Sequence, residues 1–66
     1  MNIKFNNEIC EVGKIFSVGH FLLLTIREHV CKFECLNEEQ AKEYLSQITN
    51  GEIVDLSKTT FTPAWS

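Results

Sequence analysis

Apolar and polar positions alternate along most of the first 35 residues, and then the period changes. Ile3 and Phe5 flank Lys4, a short strand ahead of the Asn6-Asn7 turn signal. Apolar positions resume over residues 9–12 and again over 15–18, with Gly13-Lys14 between them, which predicts a hairpin around Gly13. Gly19-His20 interrupts, and residues 21–26 (Phe-Leu-Leu-Leu-Thr-Ile) are then apolar on both alternating faces. Such a run suits a central strand covered by a helix on one side and by something else on the other. A monomer with a single helix has nothing obvious for that second side. Arg27-Glu28-His29 reads as a polar turn. Residues 30–35 alternate again, with Cys31, Phe33 and Cys35 on the inward face and Lys32 and Glu34 on the outward one.

From residue 37 the period becomes helical. Asn37 can accept from a free N–H of the first turn, and Gln40, at the third helical position, can reach back as in a capping box. Glu38 and Glu39 lie where the helix dipole favours negative charge. Ala41, Tyr44, Leu45 and Ile48 form one apolar stripe, and Lys42 is within reach of both Glu38 and Glu39. Asn50-Gly51 supplies the stop, so the helix is predicted over residues 38–49. Residues 52–56 follow as a last short strand, and residues 57–66 as a C-terminal tail. The expected fold is α+β: a small antiparallel β-sheet in the order β-β-β-β-α-β, with one helix packed on one face. No repeat or linker divides the chain, so residues 1–66 are expected to form one domain.

Composition narrows the function classes. At 66 residues the core is small for the entropy it must offset, so association with another chain would help, and an elaborate catalytic scaffold is disfavoured. The formal charge is −3, and Arg27 is the only arginine. Nucleic-acid binders carry a basic patch that grips phosphate, so no nucleic-acid partner is expected. The longest apolar run is far short of the ~20 residues that span a bilayer, and the N-terminus does not resemble a secretory signal. Three cysteines, an odd number, point to free thiols in a reducing compartment. A cytoplasmic protein with no membrane partner is expected. Residues with AT-rich codons (Phe, Tyr, Met, Ile, Asn, Lys) far outnumber those with GC-rich codons, as in many phage genes.

Candidate chemistry is sparse. Cys10, His20, His29, Cys31 and Cys35 supply metal-ligating types. On a straight strand, however, Cys31 and Cys35 lie ~13 Å apart, too far to share one zinc. The thiols read as core. Glu28, His29 and Cys31 supply the types of a nucleophilic triad, yet adjacent strand residues face opposite ways, which leaves Glu28 badly placed to orient His29. The three glycines are isolated, so no phosphate-binding loop is present. No cofactor, metal or catalytic residue is assigned.

Two surfaces remain for a protein partner. One is the acidic helix face with Glu38, Glu39 and Glu43, a docking surface for a basic partner. The other is the uncharged tail, where Phe61 and Trp65 flank Pro63 and either fold back onto the core or anchor another chain. Pro63 confines any strand there to a sheet edge. The expected function is a non-enzymatic protein-interaction module, self-associating as a dimer. It would be of the kind phages and mobile elements encode to bind and modulate a host protein, for example as an inhibitor. The alternatives are a structural or assembly component of a virion, and a thiol or metal sensor built on His29, Cys31 and Cys35.

Overall fold

Turn chemistry divides the chain into its strands. In the computed structural model, which describes residues 1–63, Asn6 and Asn7 take φ of 51° and 64°. Positive φ at both central positions is the requirement of a type I′ turn. It folds β1 (Asn2–Phe5) onto β2 (Glu8–Glu11), with Phe5 opposite Glu8. The hairpin expected around Gly13 does not form. β2 pairs with β1, whereas β3 (Ile15–Val18) pairs with β4 (Phe21–Ile26), so Gly13 is where the chain leaves one sheet for another.

That crossing is tightly held. The Gly13 N–H donates to the Thr25 carbonyl at 2.9 Å, and the Thr25 N–H donates back to the Lys14 carbonyl at 2.9 Å. The Lys14 N–H donates to Thr25 Oγ1 at 2.8 Å. A Cβ on residue 13 would sit 2.9 Å from that same oxygen, closer than contact allows. Gly19, at φ 58°, turns β3 into β4, and Arg27 and Glu28, at φ 52° and 68°, turn β4 into β5 (His29–Glu34).

The helix α1 (Glu38–Thr49) begins and ends on sequence signals. Asn37 Oδ1 accepts from the Gln40 N–H at 2.8 Å, and Gln40 Oε1 accepts in turn from the Leu36 N–H at 2.9 Å, one residue before the cap. At the far end Gly51 takes φ 93°, its N–H donates to the Ile48 carbonyl, and the Glu52 N–H donates to the Gln47 carbonyl. This is a Schellman motif. Beyond it come β6 (Val54–Asp55) and β7 (Thr60–Pro63). At the end of β6 the Asp55 carboxylate accepts from the Ser57 N–H at 2.9 Å, and hydrogen bonding from the Ser57 side chain first, and from this N–H second, holds its pKa below the usual carboxylate value.

The result is the expected α+β class: all five alternating segments before the helix form strands, one more than the order β-β-β-β-α-β counts, and β7 adds a second strand after it. The strands divide between two sheets: β2-β1-β6, in which β1 and β6 are parallel, and the antiparallel β3-β4-β5-β7. Parallel pairing needs a long crossover, and the intervening strands and helix supply it. The helix packs against β3, β4 and β6. Ile3, Leu22, Leu24, Phe33, Ile48 and Leu56 are the largest fully buried side chains between the layers. Cys31 and Cys35 are buried with them, on the inward face as expected. Phe61, on β7 opposite Phe33, lies 5.2 Å from the Phe33 ring and 5.4 Å from that of Phe5, centroid to centroid. The start of the tail therefore folds back onto the core, along a sheet edge as Pro63 requires.

Candidate interaction surface

The four-stranded sheet has two unequal faces. Leu22, Leu24, Cys31 and Phe33 point to the core. The alternate positions point away from it: Phe16 and Val18 on β3, Phe21 and Leu23 on β4, Val30, Lys32 and Glu34 on β5. Register joins them into one surface, since Phe16 lies opposite Leu23, Val18 opposite Phe21, Leu23 opposite Lys32 and Phe21 opposite Glu34. Phe16 is 51% exposed, Val18 56% and Val30 38%. This is the second side of the doubly apolar 21–26 run, and no element among the described residues covers it.

A polar cluster closes one corner of that face. His20 follows the Gly19 turn, and its Nε2 lies 2.9 Å from Glu34 Oε2, a hydrogen bond that becomes an ion pair when the imidazole is protonated. The His20 ring stacks at 4.1 Å on Phe21, and Lys32 Nζ sits 5.0 Å above the same Phe21 ring. Lys32 is the diagonal neighbour of Phe21 across the β4–β5 pair, where a long side chain reaches an aromatic ring. Phe21 is thus half-shielded by polar groups, while Phe16 and Val18 are not.

The acidic helix face forms as a separate surface. Glu38, Glu39 and Glu43 are all exposed. Glu38 pairs with Lys42 Nζ at 3.0 Å, and Glu43 accepts from Gln47 Nε2 at 3.3 Å. Phe61 belongs to the aromatic trio with Phe5 and Phe33, and Trp65 lies outside the described residues. An open groove of about 960 Å³ lies at the Gly13 crossing, bordered by Ile9, Cys10, Lys14, Ile26, Arg27 and Glu28. Both signs of charge line it.

The remaining candidates fall in unlike settings. Glu28 and His29 are exposed, whereas Cys31 is buried, with its thiol 3.8 Å from the His29 carbonyl. Burial, and secondarily the neighbouring Cys10, push the Cys31 pKa up; burial does the same for Cys35. Both therefore favour the neutral thiol over the thiolate more than an exposed cysteine does. Among the described residues no three His, Cys, Asp or Glu side chains gather as a metal site, and no helix is long and apolar enough to cross a membrane. Compared with protein-family models, with curated proteins and with solved structures, the chain matches none of them.

Proposed function

We propose that this chain is a small non-enzymatic protein-binding module that acts by occupying a surface of its partner, and that its contact surface is the outer face of the four-stranded sheet. The observation that carries the reading is the exposure of Phe16 and Val18 in register with Phe21 and Leu23. Apolar side chains exposed singly need no explanation, but a contiguous set rimmed by polar groups marks an interaction site. Lys32, Glu34 and His20 supply the rim, as the edge of a protein–protein interface requires. The fitting partner is a protein with an apolar patch of its own.

The helix acids Glu38, Glu39 and Glu43 have a lesser part in this reading. Exposed charges steer encounter and add little affinity. Phe61 already has its ring against two other aromatic rings, which supports a structural part for it rather than an anchoring one. The excess of residues with AT-rich codons and the small size suit an accessory gene of a phage or mobile element, whose product would block a host protein sterically in the cytoplasm.

Position-resolved crosslinking tests the proposal. With a photoreactive residue placed in turn at positions 16, 18, 39 and 43 in cells, adducts to another protein are expected from 16 and 18. Adducts from 39 and 43 alone would move the binding surface to the helix and overturn the proposal.

A further inference from the structure

The four sheet edges are not equally protected. β2 carries Glu8 and Glu11 at its ends, and β6 is two residues long. β7 ends in Pro63, which lies opposite Cys31. Cys31 already spends its ladder bonds on β4, so the missing N–H of Pro63 falls on the free edge of β7. Glutamates, shortness and proline are the usual devices that stop one edge from pairing with another. β3, Ile-Phe-Ser-Val, has none of them, and it borders the exposed apolar face.

The phase of the hydrogen bonds shows which β3 groups are open. Thr25 exchanges bonds with Gly13 and Lys14, so Leu23 and Phe21 bond to Phe16 and Val18 in the alternation of an antiparallel pair. The N–H and C=O groups of Ile15 and Ser17 therefore point out of the sheet, and these residues flank Phe16 symmetrically. We infer that β3 pairs antiparallel with β3 of a second copy, about a two-fold axis at Phe16. Ile15 then bonds to Ser17 of the second copy, and Ser17 to its Ile15, which satisfies all four outward groups on each chain. The Phe16 residues meet as a non-hydrogen-bonded pair, where side chains approach closest, and Val18 lies opposite Lys14 of the second copy. A second copy is the occupant because one short edge matches itself in this register with no group left over. The two outer faces become one continuous surface across eight strands. This dimer goes beyond the binding module of the previous subsection and stands whatever protein that face meets.

Sedimentation of the purified chain is expected to show reversible dimerisation to twice the 7.6 kDa chain mass. Phe16→Lys places two like charges at the axis and should weaken association at least about tenfold, with an unchanged circular dichroism spectrum. Val18→Lys should weaken it as well, and Val18→Glu, facing Lys14, should weaken it less. Phe16→Cys in a Cys10→Ser background should crosslink to itself on oxidation, because non-hydrogen-bonded partners have Cα atoms about 4.5 Å apart, within disulfide reach. A monomer at all concentrations, an open-ended polymer, or a dimer indifferent to Phe16→Lys would each overturn the inference. An adduct to another protein from position 16 beside a strictly monomeric chain would overturn the dimer alone and leave the binding module standing.

Discussion

Arg27 and Glu28 occupy the left-handed region, at φ 52° and 68°, with side chains that do not favour it. A residue with a Cβ gives up roughly 1 kcal/mol there, a loss glycine avoids. Glu28→Gly is therefore expected to stabilise the protein by about 1 kcal/mol, read as a higher urea midpoint with unchanged slope. Gly13 is the opposite case. Gly13→Ala drives a methyl against Thr25 Oγ1 and displaces the hydroxyl from the Lys14 N–H, so a loss of about 1–2 kcal/mol is expected in the same measurement. The buried thiols add a pH signature. Folding raises the pKa of Cys31 and Cys35, so above the unfolded-state value of about 8.5 the unfolded chain releases protons first. Their contribution is fully present at neutral pH and declines as the solution becomes alkaline. The difference in stability between the chain and a Cys31→Ala, Cys35→Ala form, measured at pH 7 and pH 10, should shrink at the higher pH.

At the scale of elements, β7 depends on one ring. Phe61 contacts Phe5 and Phe33 while remaining 38% exposed, so Phe61→Ala should destabilise by about 2 kcal/mol, less than a fully buried phenylalanine. The amides of Lys32 and Glu34, which face β7, should then exchange faster than those of Cys31 and Phe33, which face β4. The helix was legible to the residue because each end has a chemical stop: a side-chain acceptor at Asn37 and a positive-φ glycine at position 51. Strand positions were legible from alternation, but partners were not. Period 2 on either side of Gly13 is the same whether the chain turns back or crosses to a second sheet, and the choice lies in the Thr25 contacts. Arg27-Glu28 read as a turn from its polarity, but neither residue favours positive φ, so its left-handed geometry had no local sign. The candidate surface was half legible. The two-sided run at 21–26 pointed to an uncovered face, whereas the exposure of Phe16 and Val18 was hidden because Ile15-Phe16-Ser17-Val18 offers apolar residues to both sides.

For the whole molecule, the sheets, the helix and the returning tail cover one face of the four-stranded sheet, and among the described residues nothing covers the other. Small size accounts for this, since a single helix and a three-stranded sheet can cover only one face of four strands. Among the described residues the open face adjoins the one edge without a charge, proline or shortness to guard it, and together they support the proposal that this chain meets other protein on its β3 side. Amide hydrogen exchange at Ile15 and Ser17, followed as the concentration of the intact chain is raised, tests that claim most directly. Both amides point away from β4, so they should exchange rapidly in dilute solution and become protected as copies associate, while Phe16 and Val18 stay protected throughout. Rapid exchange of Ile15 and Ser17 at every concentration would contradict it.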